Sequence, residues 1–236
     1  LGYATVASLL LILATLFVIT RRHWDQSPET SVRDEPEDPD IPLREALRHG
    51  AVWVHILLFF IYTGLEVTVG QWSYSILTEA RAVPKETAGL WVTVYWAGIG
   101  VGRLLLGFVV ERIGIDRVLR FSMLIAVLGA ALFMADISAL MSSLALALIG
   151  LGLASIFPSL MTRTPQRLGK GIAAHAIGFQ VSAAMLGAAA LPSLAGFLGQ
   201  RFGLEAISVA AVAMAVCLGL LHEGLLFSSR RQTVPG

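Results

Sequence analysis

Charge is what this chain has least of. Only 14% of its 236 residues are Asp, Glu, Lys or Arg, against 56% apolar, too few to cover an ordinary water-soluble domain. The net charge of +1 leaves no basic excess to recruit nucleic acid, and the charges sit between apolar runs instead of along one face. Cysteine is reduced to Cys217, so no internal disulfide can form. His55, His175 and His222 stand one to an apolar run. Without paired ligands no metal, haem or other redox cofactor is expected, and no catalytic constellation emerges. A Gly-rich loop closing on Lys-Ser/Thr, the cradle of ATP-driven machines, is also missing.

Long apolar runs fill the chain instead. They read as seven crossings of an all-α, polytopic membrane helix bundle: residues 1–20, then about 51–78, 88–110, 118–135, 140–161, 172–198 and 206–227. Residues 21–50 mix acidic side chains with Pro28, Pro36, Pro39 and Pro42 and read as a solvated linker. Its last part, 42–49, can form a short surface helix stopped by Gly50. Residues 228–236 read as a tail. Because the first residue is Leu and lies inside an apolar run, the chain reads as a fragment whose N-terminal part is missing.

Charge placement tests that count. With Arg21 inside, the inside set is Arg21, Arg22, Arg33, Arg44, Arg48, Arg112, Arg117, Arg120, Arg163, Arg167, Lys170, Arg230 and Arg231; the outside set is Arg81, Lys85 and Arg201. A miscounted crossing would scramble this asymmetry. The expectation is an integral, multi-pass protein of a plasma or inner membrane, with the bilayer as its first partner and a cytoplasmic C-terminus.

The run 51–78 carries one carboxylate, Glu66, far from either end. An acid at that depth costs about 2.5 to 3.5 kcal/mol and is tolerated mainly where it faces protein or a watery cavity. On an ideal helix His55, Tyr62, Glu66 and Ser73 fall within about 20° of one line. Two readings stand: a polar stripe that only packs against neighbouring helices, or the lining of a substrate or proton path. Gln71 points away from that line, and Gly64 and Gly70 could unwind the helix locally.

Gly98, Gly100, Gly102 and Gly107, with Gly150 and Gly152 further on, allow close helix approach. Pro158 interrupts an apolar helix and frees a carbonyl four residues earlier, which predicts a kink near Ala154. Beside Gly150 and Gly152, such a break is the kind found at transporter binding sites. In 172–198, His175, Gly178 and Ser182 share one face and Gln180, Ala184 and Gly187 another; one of them should meet a cavity. Trp91 suits the interfacial belt, while Tyr95 and Trp96 either stack on a sugar ring or simply pack. His222 and Cys217 read as structural.

Residues 102–119 contain Gly107, Glu111, Arg112, Gly114 and Arg117 in a pattern that resembles the cytoplasmic loop signature of the major facilitator superfamily, in the copy between its eighth and ninth helices. Two departures are Glu111 in place of the usual aspartate, and Ile115 and Asp116 where a basic pair is expected. Tyr62, Thr63, Gly64, Leu65 and Glu66 followed by Gln71 and Trp72, together with the stretch from Ala154 through Pro158, resemble the seventh and tenth helices of the fucose-permease-like branch of sugar:proton symporters. The resemblance implies the C-terminal six-helix half of that fold, preceded by the sixth helix, with the missing N-terminal half of the same protein as partner. It also implies inverted repeats and a small-molecule substrate moved by alternating access. Glu111, Arg112 and Arg103 would then bolt helices together at the cytoplasmic side. Glu66, Tyr62, Gln71, Trp72, His55, Tyr95, Trp96, Gln180 and His175 are the candidates for the path. Efflux of a drug or metabolite is the alternative within transport, and a non-transporting scaffold or sensor the alternative outside it.

Overall fold

A computed structural model describes residues 2–24 and 42–232, and every regular element among them is helical. The expected linker lies outside the described residues from 25 to 41, as does the end of the tail, 233–236. The chain divides into two compact units, Leu1–Asp38 and Pro39–Gly236. The first holds α1, Gly2–Trp24, whose Thr15 and Thr20 hydroxyls donate to the carbonyls of Leu11 (2.7 Å) and Leu16 (2.8 Å). These bonds let hydroxyls sit on an apolar rod without exposed, unsatisfied donors. Its apolar stretch among the described residues, Ala7–Thr20, is shorter than those of the second unit.

The second unit opens with α2, Leu43–Ala46, started by the Pro42 carbonyl, which accepts from the Glu45 and Ala46 amides. The surface helix is shorter than expected, and Gly50 begins the next helix instead of stopping this one. Then come α3 (Gly50–Ser75) with a π-helical turn (Ile76–Ala80), α4 (Lys85–Ile113), α5 (Ile115–Ala135), α6 (Ala139–Ala154), α7 (Ile156–Leu168), α8 (Lys170–Phe202) and α9 (Glu205–Gln232). Counting α3 with its π turn and α6 with α7 as one crossing each, six segments are long and apolar enough to cross a membrane. They outrun the apolar windows at most ends because backbone hydrogen bonding continues into the charged caps, as at Lys85 and Arg167.

Packing is reciprocal between two triplets, α3–α4–α5 and α6/α7–α8–α9. The first helix of each lies on the second of the other: α3 on α8, and α6 on α4. Small residues make it possible. A Cβ on Gly187 would fall 2.1 Å from the Phe60 carbonyl oxygen, and one on Gly150 2.3 Å from that of Tyr95. Gly152 similarly admits α5, at 2.6 Å from the Ala126 amide nitrogen. Gly64 and Gly70 do not unwind α3, which is continuous through both. They make room for Leu191 and Trp96, whose side chains would lie 2.2 Å and 2.4 Å from an added Cβ, so their missing side chains serve packing.

The predicted kink takes the form of a break. Helix α6 ends at Ala154, Ser155 separates the two helices, and Pro158 sits in the first turn of α7, where a missing amide costs nothing. Buried Ser155 hydrogen-bonds Ser122 of α5 there.

Two charge clusters close the ends of the bundle. At one end Arg81, its side chain 3% exposed, donates to both oxygens of Glu205 (2.8 and 2.7 Å), to Ser142 Oγ (3.0 Å) and to the Phe133 carbonyl (2.8 Å). Its guanidinium also lies 4.4 Å from the Phe133 ring centroid and its Nε 3.3 Å from Asp136. At the other end Asp116 receives Arg163 (2.6 and 3.1 Å) and Arg167 (3.0 Å), and Arg120 of α5 pairs with Glu223 of α9 (2.6 and 2.8 Å).

Candidate functional site

Glu66 lies near the middle of α3, with its side chain 14% exposed. The expected stripe is buried: His55, Tyr62 and Ser73 are each at most 1% exposed. Burial alone does not separate packing from function, and the partners do. Facing Glu66 from α4 is Arg103, Nη2 to Oε1 3.7 Å. At that separation opposite charges attract by about 4 kcal/mol at an effective dielectric near 20, reduced here because Arg103 is 52% exposed. The two charges bring each other into a slab where neither would be tolerated alone.

A cavity of about 380 Å³ opens beside this pair, lined by Tyr62, Thr63, Glu66, Arg103, Phe157, Pro158 and Met185. The break at Ser155 shapes it by bringing Phe157 against Phe59 (5.0 Å) and Tyr62 (6.0 Å between ring centroids). The hydroxyls of Tyr62 and Thr63 are buried; that of Tyr62 lies within interaction range of Glu66 and Arg103, while that of Thr63 has no hydrogen-bond partner among the described residues. A carboxylate, a guanidinium and the hydroxyls of Tyr62 and Thr63 beside an aromatic wall can hydrogen-bond a small polar solute and cover its apolar face. Tyr95, fully buried, fixes the floor by donating from its hydroxyl to the Glu66 carbonyl at 2.8 Å.

The other sequence candidates fall elsewhere. His55 shares the stripe but lines a separate cavity between α3 and α9. Gln71 is exposed and does not line the Glu66 cavity. Trp72 donates its indole N–H to the Pro192 carbonyl at 2.9 Å and packs over Gly196 of α8. Trp96 packs edge-on against Tyr95 (5.1 Å) and over Gly70. Gln180 is fully buried and bonded to Thr164 of α7 (3.0 Å), so the face it shares with Ala184 and Gly187 is a packing face. His175 is partly buried and outside the pocket.

The loop signature divides in the same way. Arg103 belongs with Glu66 instead of the helix-bolting set. Glu111 and Arg112 are exposed and form no ion pair among the described residues, and Arg117 is exposed as well. The acid that pairs across helices here is Asp116, one of the residues that depart from the expected pattern. Gly107 faces open space, whereas Gly114 adopts φ 81°, which lets α4 turn directly into α5. Arg103, Thr63, Phe157 and Met185 were missed as pocket residues. Arg103 could have been found, because it is the one cation inside the expected 88–110 crossing and the natural counter-charge to Glu66.

Residues 54–235 match the Major Facilitator Superfamily. Among curated proteins the chain is 29% identical over 174 residues to "Bypass of stop codon protein 6" of Saccharomyces cerevisiae, covering 69% of this chain and 35% of that protein. It is 28% identical over 107 residues to "Glucose/mannose transporter GlcP" of Bacillus subtilis, covering 45% of this chain and 26% of that protein. The chain thus aligns with about a third or less of each relative's length. With six membrane-crossing segments, close-packed through small residues around a mid-helix charge pair, and a family match over most of its length, this chain is a multi-pass membrane protein that belongs to the Major Facilitator Superfamily.

Proposed function

We propose that the chain is one half of a secondary transporter and that the Glu66–Arg103 pocket is its contribution to the solute path. The observation that carries this is the pocket itself: a carboxylate and a guanidinium held at mid-helix, with the buried hydroxyls of Tyr62 and Thr63 at its wall. On this reading residues 51–227 are the C-terminal six-helix half, residues 1–20 the last helix of the N-terminal half, residues 21–50 the cytoplasmic linker and residues 228–236 a cytoplasmic tail. The two halves alternate access around the pocket.

A sugar is the solute class the pocket suits best. Its hydroxyls can accept from Arg103 and donate to Glu66, while Phe157 covers a ring face. Similarity to a glucose/mannose transporter supports this class. Efflux of organic cations fits less well, because the carboxylate that would attract them is already matched by Arg103. Glu66 is the group proposed to carry the coupling proton, giving sugar:proton symport as in the fucose-permease-like branch.

The test is uptake of radiolabelled glucose and mannose by the full-length protein in vesicles with an imposed pH gradient. Glu66→Gln should retain exchange of sugar across the membrane and lose the acceleration by the gradient. Unchanged proton dependence removes Glu66 from coupling. Transport of cationic dyes in place of sugars overturns the substrate class.

A further inference from the structure

At the Asp116 end of the bundle, a second cavity of about 490 Å³ lies between the start of α3 and α9, with the end of α7 as its floor. Its polar lining is His55 and Arg167; Val54, Leu220, Leu221 and Leu225 supply apolar wall. His55 is fully buried, yet neither ring nitrogen has a hydrogen-bond partner among the described residues. Arg167, its side chain 11% exposed, spends Nη2 on Asp116 while Nη1 is buried and unpartnered. Such groups are costly to leave unsatisfied, and an imidazole offers at least one N–H in either protonation state.

The local charge has a definite sign. Asp116 is shared by Arg163 and Arg167, so the three carry a net charge of one positive, and among the described residues no acid lines the cavity. The nearby Glu223 is already held by Arg120 on the α5 side of α9. His222 of α9 lies within electrostatic reach of His55 and is likewise buried, but its Nδ1 sits 3.7 Å from Glu223 Oε1, so it already has an acidic neighbour outside the cavity. An uncommitted guanidinium N–H beside an imidazole, under a net positive charge, is the donor set that phosphate oxygens take.

We propose that this crevice binds a phosphate-bearing anion through Arg167 Nη1 and His55, supplied by the headgroup of an anionic phospholipid or by free phosphate. The apolar wall formed by Val54, Leu220 and Leu221 continues from the polar floor and accommodates an acyl chain, which favours the lipid source. Basic pockets between membrane helices are known to hold such headgroups.

The experiment is native mass spectrometry of the full-length protein in neutral detergent, titrated with phosphatidylglycerol, phosphatidylcholine or inorganic phosphate. Phosphatidylglycerol should bind in preference to phosphatidylcholine. Loss of a charge-assisted bond in Arg167→Gln should weaken it at least about tenfold. Ala51→Trp, which fills the crevice and leaves every charge in place, should do the same. Arg120→Gln, at the same end of the bundle but outside this cavity, should bind like the parent. Inorganic phosphate binding with that same variant pattern, without preference for the lipid, supports the site and assigns it to free anion. Equal binding of both lipids with no phosphate bound, parent-like binding by Arg167→Gln and Ala51→Trp, or an equal loss in Arg120→Gln overturns it.

Discussion

Replacing Arg81 by Met keeps most of the side chain's volume and removes every polar contact it makes. Glu205 and Asp136 are 47% and 48% exposed, so both carboxylates regain water and the lost ion pairing counts for about 1 kcal/mol. Ser142 Oγ and the Phe133 carbonyl each lose a donor, at about 1 kcal/mol apiece. The stacking on Phe133 adds about 0.5 to 1 kcal/mol. A destabilisation of about 3.5 to 4 kcal/mol should lower the melting temperature of a bundle this size by about 7 to 16 °C. The assay is thermal unfolding of the purified protein in detergent, followed by tryptophan fluorescence. Arg81→Lys should fall between parent and Met, since an ammonium keeps the charge and loses the planar fork. Raising the salt concentration should leave the Met deficit largely intact, because the guanidinium is buried. A Met variant melting within about 1 °C of the parent would refute the idea that Arg81 ties α5, α6 and α9 to the end of α3.

Three further outcomes follow from the packing. Gly150→Ala forces a Cβ against the Tyr95 carbonyl and should cost about 3 kcal/mol, read as a loss of monodisperse protein in size-exclusion chromatography; Gly100→Ala, which meets open space, should be neutral within about 0.5 kcal/mol. Asp116→Asn should lower stability by about 2 kcal/mol in the same melting assay, since two partly buried arginines lose their counter-charge, whereas Glu111→Gln should stay within about 0.5 kcal/mol of the parent. Trp72→Phe loses the bond to the Pro192 carbonyl and should cost about 1 kcal/mol, with the KM for the sugar proposed as solute unchanged; a raised KM would mean that the indole touches the solute.

What was legible in the chain was whatever depends on neighbours in sequence. The six long apolar helices follow from run length, the break before Pro158 from a missing amide, and the burial of the His55–Tyr62–Glu66–Ser73 line from helical phase. A carboxylate in the middle of such a run announced a buried polar contact because the alternative is too costly. Phase could not say what that face would meet. Trp72 and Gln180 looked as available to a solute as Tyr62 did, until Pro192 and Thr164 proved to be their partners. Gly70 looked like a weak point in α3 until Trp96 filled the space its missing side chain leaves.

The sequence by itself therefore determined that this protein crosses a membrane as helices, and that Glu66 needs company there, because insertion and backbone hydrogen bonding are local costs set residue by residue. Only the tertiary structure decided that the company is Arg103, that the end clasps are Asp116 with two arginines and Arg81 with Glu205, and that His55 belongs to a different cavity from Glu66. Those pairings join residues tens to more than a hundred positions apart, and their geometry is set by how closely glycine-faced helices can approach, a quantity no single helix contains.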